Sequence, residues 1–258
     1  MTNFANQLER QIALAFTQFT VMLSALALIF TSLAACLLVP ALTGKPAALG
    51  ATKSASKDKV ANKPDQTPEL LPLAGTTVLV DPGHGGTDPG AISGGVSEKD
   101  IVLDVSLKLA EKLEELGADV EMTRADDTFI TLPGRLDESN KLCPDLFISV
   151  HGNSVKKPDI SGIETYYYDD RDKALSQSVL DHVAAELGEQ PRWSHARNLF
   201  VLDGNKAPAT LVEIGYLTNP RTRDLLKTPT YQDKVATALA QAVTSYLTAP
   251  GALRGCPA

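Results

Sequence analysis

Cysteine is scarce: the 258 residues hold three, Cys36, Cys143 and Cys256, and no two stand at C-x-x-C spacing. Neither a thiolate zinc cage nor a disulfide framework is therefore indicated, and a Cys143–Cys256 bridge in an oxidising compartment is left open. An excess of positive charge is lacking as well. With 24 Lys and Arg against 31 Asp and Glu, the net charge is -7 and the isoelectric point about 5.1. That balance argues against nucleic acid as a partner, because a phosphate backbone is held by clustered basic side chains. No internal repeat is evident. What remains is an ordinary hydrophobic content of 43%, enough for a full core, in a length that suits one domain with an appendage.

The appendage comes first. From Ile12 to Leu42 the chain is almost free of charge, flanked by Arg10 and Lys45. The run exceeds the roughly 20 residues that cross a bilayer, and a helix apolar on every side would need protein all round it. Residues 1–43 are expected to enter a membrane, as an uncleaved anchor, a cleaved signal with small residues around Ser32 to Ala35, or a lipoprotein signal. Leu33-Ala34-Ala35-Cys36 resembles a bacterial lipobox, but the apolar continuation Leu37-Leu38-Val39 favours the anchor. Residues 44–73 turn to Ala, Lys, Ser, Thr, Asp and Pro. Such a segment buries too little apolar surface to offset chain entropy and reads as a disordered linker.

Residues 74–249 alternate strand and helix patterns, followed by a tail over 250–258. Thr76 to Val80 is a strand stopped by Asp81-Pro82-Gly83. Glu98 to Leu116 sets Ile101, Val102, Val105, Leu109 and Leu113 at helical spacing, with Ser97 as its N-cap and Gly117 as its stop. Strands are expected over Ala118–Thr123, Asp145–Val150, Gly162–Tyr168, Leu199–Leu202 and Thr210–Ile214. Helices are expected over Leu132–Lys141, Asp172–Leu187 and Tyr231–Leu247. The alternation predicts a single α/β domain whose twisted, mostly parallel or mixed sheet is flanked by helices.

Two of the four histidines sit where strands end, His84 in D-P-G-H-G-G and His151 in S-V-H-G-N. In open α/β sheets, sites form beyond the carboxyl ends of strands. Gly83, Gly85 and Gly86 permit a tight turn and close approach to a ligand. Glu98 adds a carboxylate, and two His plus one carboxylate leave the fourth position of a tetrahedral metal open. Glu213 ends the apolar strand T-L-V-E-I, where an unpaired carboxylate is costly. It is either a general base and acid or one half of an ion pair with Arg197 or Arg135. His182 reads as a structural residue within a helix, and His195 as a loop residue that could reach substrate. Tyr166 to Tyr168 alternate across a strand, so at least one packs in the core.

These motifs, with M-T-R at Met122 to Arg124, L-P-G-R at Leu132 to Arg135 and V-E-I-G-Y-L-T-N, resemble the N-acetylmuramoyl-L-alanine amidase family of the type-3 catalytic domain, in order from about Thr76 to Leu247. The resemblance implies zinc on His84, Glu98 and His151, with Glu213 catalytic. It departs where Gly152 replaces the usual Ala and Tyr216-Leu217-Thr218 the usual Phe-Leu-Ser. It further implies cleavage of the bond between N-acetylmuramic acid and L-alanine in peptidoglycan, and a catalytic domain outside the cytoplasm of a bacterial cell, tethered by its N-terminal segment. A monomer is expected. Some relatives carry a long helical insert that blocks the zinc, but here Asn153 to Ser161 is too short for one. No appended wall-binding repeat is visible. Two rivals remain on residues alone: a wall-binding module without turnover, and a glycosidase using Glu98 and Glu213 as its carboxylate pair.

Overall fold

A computed structural model of the chain describes residues 70–257. The expected membrane segment, 1–43, and residues 44–69 of the expected linker lie outside the described residues. Among the described residues no helix is long and apolar enough to cross a membrane. The folded domain begins earlier than residue 74: Leu73, assigned above to the linker, is fully buried, and its amide donates to Leu116 O at 2.9 Å.

The chain enters through β1 (Thr77–Pro82), a short hairpin of β2 (Ile92–Ser93) and β3 (Val96–Ser97), and helix α1 (Glu98–Glu115). It continues through β4 (Asp119–Met122), α2 (Leu132–Leu142), β5 (Leu146–Asn153), β6 (Ile163–Tyr167) and α3 (Lys173–Leu187). It ends with β7 (Pro191–Ala196), β8 (Ala209–Tyr216), α4 (Pro220–Leu226) and α5 (Pro229–Thr248). Six strands form one sheet in the order β4-β1-β5-β8-β6-β7. The first four are parallel, β6 runs antiparallel to β8, and β7 is parallel to β6. The sheet is therefore mixed, within the class expected from sequence.

Side chains alternate across a strand, so each strand serves two faces. Val78, Val80, Ile148, Val150, Val212 and Ile214 join the apolar faces of α1, α3 and α5 in the large core. On α1 the buried residues are those whose spacing predicted the helix. The opposite face is thinner: Leu79, Phe147, Tyr166, Ala209 and Leu211 pack against Val201 and Leu202. Asp81, His151 and Glu213 continue this second alternation toward the carboxyl ends of their strands. The helical layer thus anchors the sheet from behind and leaves its other face for chemistry.

Several expectations need correction. Leu199–Leu202 is not a strand: Leu202 and Asp203 donate back to Leu199 O in a turn, and the apolar run caps the thin face by burial alone. Strand β7 was missed because Pro191-Arg-Trp-Ser-His-Ala196 lacks apolar alternation, so His195 lies on a strand and not in a loop. The hairpin and α4 were missed for their brevity. Ser97 occupies the N-cap of α1 in extended conformation but its side chain makes no capping bond. The bridge left open above is formed, Cys143 to Cys256, and it ties the tail to the end of α2.

Candidate metal centre

The turn after β1 is built around a buried acid. Asp81 is wholly inaccessible, and it accepts hydrogen bonds from Thr123 Oγ1 and Ser149 Oγ, both at 2.6 Å, and an ion pair from Arg135. Arg135 also donates to the carbonyls of Pro82 and His84. Arg124 donates to Pro82 O at 3.0 Å and to Gly83 O at 2.7 Å. Two buried guanidinium groups thus grip three successive carbonyls, which explains why M-T-R and L-P-G-R accompany the turn. The grip holds His84 at φ 58°, a left-handed backbone unusual outside glycine. Gly83 has to be glycine because a Cβ there would lie 2.3 Å from Cε1 of the His151 ring.

The three expected ligands converge. His84 Nε2 and His151 Nδ1 each lie 3.0 Å from Glu98 Oε1, and the ligand atoms all fall within 4.8 Å of one another. The two imidazoles meet edge to face, with centroids 4.8 Å apart. Glu98 is buried at the first turn of α1, where Oε1 also accepts from Gly152 N at 2.9 Å and Oε2 from Ala91 N at 2.9 Å. Burial alone would raise its pKa, but hydrogen bonds from His151 and His84 outweigh that and hold it well below the usual carboxylate range. Burial likewise opposes charge on His84, yet Glu98 and Asp88 together raise its pKa.

Asp88, which sequence reading missed, accepts from His84 Nδ1 at 2.7 Å. With the Nδ1 proton committed there, a neutral His84 would aim its Nε2 lone pair at the lone pairs of ionised Glu98. Only positive charge relieves that contact, whether a second proton or a cation. Two imidazoles, one carboxylate and an outer carboxylate orienting a ligand histidine form the donor set that suits zinc. Gly90 closes the cradle: a Cβ there would lie 2.6 Å from His84 Cδ2 and 2.7 Å from Glu98 Oε2.

Glu213 stands beside this cluster, paired in register with His151 on β5 and with Glu164 on β6. Its Oε2 is sealed from solvent and has no hydrogen-bond partner among the described residues. Burial first, then its fellow carboxylates Glu98 and Glu164, push its pKa up to about 7 against the pull of His151. The alternative ion pairs are not made: Arg135 serves Asp81, and the Arg197 guanidinium lies 5.2 Å from the Tyr166 ring. Glu164, also missed from sequence, is fully satisfied by Tyr166, Tyr216, Asn153 and Arg192. His182 is a structural helix residue, with Nδ1 2.8 Å from Ser178 O.

Residues 78–245 match the family described as N-acetylmuramoyl-L-alanine amidase. The chain belongs to that family. The chain is 35% identical over 179 residues to the N-acetylmuramoyl-L-alanine amidase LytC of Bacillus subtilis (strain 168), covering 68% of this chain and 36% of LytC. To the germination-specific N-acetylmuramoyl-L-alanine amidase of the same organism it is 31% identical over 212 residues, 76% of this chain and 90% of that one. Among solved structures, the N-acetylmuramoyl-L-alanine amidase of Clostridium difficile 630 is similar, with 36% identity, a TM-score of 0.66 and coverage of 68% and 98%. The chain therefore spans about a third of the length of LytC but nearly the whole of the solved Clostridium difficile 630 chain. Membership makes it a hydrolase, as the resemblance read from its motifs implied.

Two recesses flank the cluster. One, of about 440 Å³, runs between His84 and His151 and the apolar side chains of Phe129, Leu132 and Phe200. The other, of about 520 Å³, lies over β6 and β7 and is lined by Arg192, Trp193, His195 and Arg197.

Proposed function

We propose that this amidase hydrolyses the amide between the lactyl group of N-acetylmuramic acid and L-alanine of peptidoglycan, with zinc held by His84, Glu98 and His151 and with Glu213 as general base and acid. The observation that carries the reading is a three-ligand convergence with an unpartnered carboxylate oxygen alongside. When bound, zinc supplies Lewis acidity toward a carbonyl oxygen and makes nearby water easier to deprotonate. Glu213 takes a proton from the attacking water as its oxygen bonds to the carbonyl carbon. The same proton then passes from Glu213 to the nitrogen as the carbon–nitrogen bond breaks, leaving a lactyl carboxylate and a free amino terminus.

The glycosidase alternative asks Glu98 to act as a free acid. Both of its oxygens are already engaged, by two histidines and two backbone amides. A catalytic domain outside the cytoplasm fits the Cys143–Cys256 bridge, since such bonds persist in oxidising compartments. A tether through residues 12–42 fits the same location.

Metal content and new amino termini, measured on the full chain and on His84→Ala, test the reading. One zinc per chain with released L-alanine termini, both lost in the variant, is the expected result. A metal-free parent, or reducing sugar ends in place of amino termini, would sink it.

A further inference from the structure

The row that starts at His151 does not stop at Glu213. Across the sheet, His151 pairs with Glu213, Glu213 with Glu164, and Glu164 with Trp193 on the edge strand β7. Alternation then places His195 on the same face, opposite Tyr166. Ser194, between them, points to the other side and bonds Ser176 Oγ of α3 at 2.8 Å. At the head of β7 the register shifts, so that Ile163 pairs with Pro191 but Glu164 already pairs with Trp193. Arg192 is the extra residue, and bulges of this kind re-aim a side chain. Here the bulge turns Arg192 onto the catalytic face, where Nε donates to Glu164 at 2.9 Å and the guanidinium lies 4.5 Å from the Trp193 ring. Arg197, just past the strand, adds a second guanidinium that makes no ion pair among the described residues.

We propose that Arg192 and Arg197, with Trp193 as a wall, form a subsite for a carboxylate on the peptide part of the substrate. The inference rests on the amidase reading above. Its chemistry follows from the substrate itself: with the lactyl carboxyl consumed in the scissile amide, the sugar side offers hydroxyl and acetamide groups, while the stem peptide carries the free carboxylates. Arginine recognises a carboxylate through paired N–H donors. Distance agrees, because Trp193 lies two strand spacings from Glu213, about 10 Å, the reach of two to three extended residues. A peptide whose alanine nitrogen sits at Glu213 thus brings its second or third residue over the two arginines.

The test compares a muramyl tripeptide bearing its free carboxylates with the same tripeptide fully amidated, for the parent chain, Arg197→Gln and Arg197→Lys. Loss of a charge-assisted bond predicts about a tenfold rise in KM for the acidic tripeptide in Arg197→Gln, partial recovery with Lys, and no rise for the amidated form. Calorimetric Kd values for the same pair need no turnover. They separate the two ideas: a parent that fails to cleave but binds the acidic form more tightly, through Arg197, overturns the amidase reading and keeps the subsite. Equal Kd for both peptides in the parent, or an equal loss for both in Arg197→Gln, overturns the subsite. So does a Trp193→Ala variant that weakens both alike while Arg197→Gln changes neither, which would mark a sugar platform.

Discussion

Asp81 and Glu213 hold the same kind of place, each a carboxylate near the end of a parallel strand on the thin face of the sheet, with β5 between them. Their surroundings are opposite. Asp81 is given two hydroxyls and a guanidinium, and both of its oxygens are engaged in holding the turn. Glu213 is given neighbours of its own sign and one oxygen with no partner. Burying a charge with its partners fixes a structure; burying one without them stores a cost that persists where function needs it. The difference separates an acid whose bonds shape the site from one left free for the general base and acid role proposed above.

The largest effect that would break this comparison is on turnover. Glu213→Gln keeps the shape and removes the proton carrier, so cleavage of peptidoglycan should fall by about 100- to 10,000-fold with zinc content unchanged and with stability equal or higher. Parent-level digestion by the variant would reassign the base. The next effect is on folding. Arg135→Met strands Asp81 as a buried charge and frees the Pro82 and His84 carbonyls, a loss of about 3–5 kcal/mol in denaturant unfolding. Should Glu213→Gln destabilise the domain as much as Arg135→Met does, the division between structural and working acid is lost.

How far these roles could be read from sequence depended on whether a residue's partner lies nearby in the chain pattern. His84, His151 and Glu213 were legible because each ends an apolar strand, and strand ends in such sheets gather at one edge. Glu98 was legible only as a first-turn acid on a strongly periodic helix. Asp88 was not, since its meaning comes from His84 Nδ1, and nothing in D-P-G-A announces that contact. Arg124 and Arg135 appeared as motif letters whose target, a run of carbonyls some 40 and 50 residues earlier, only the folded chain defines. The β7 edge was invisible for a related reason. A strand that packs on one side through Ser194 and turns Arg, Trp and His outward carries no apolar period. The Leu199–Leu202 run erred in the other direction, being apolar because it covers the thin face and not because it pairs.

The smallest effect is a pH dependence that separates the acids without touching turnover. In metal-free protein, Glu213 is raised from 4.5 to about 7. Below 4.5 folded and unfolded chains are both protonated there, and the group contributes no difference. As pH climbs toward 7 the unfolded chain releases the proton that the folded one retains, so stability declines through that window and then levels. His84 adds a decline of the same sign at higher pH, because its stabilisation is complete below 6.5 and is lost as pH rises through its raised value. Glu98 acts on the acid side, where its contribution disappears as pH falls below 4.5 toward its lowered value. Thermal melts of chelator-treated protein from pH 4.5 to 8 should therefore slope downward in two stages. Glu213→Gln should cut the first stage back to the part that Asp172 supplies, its carboxyl being raised by burial to about 6, and leave the second. A first stage undiminished by the substitution would mean that none of it belongs to Glu213, and that Glu213 is less isolated than its bare oxygen implies.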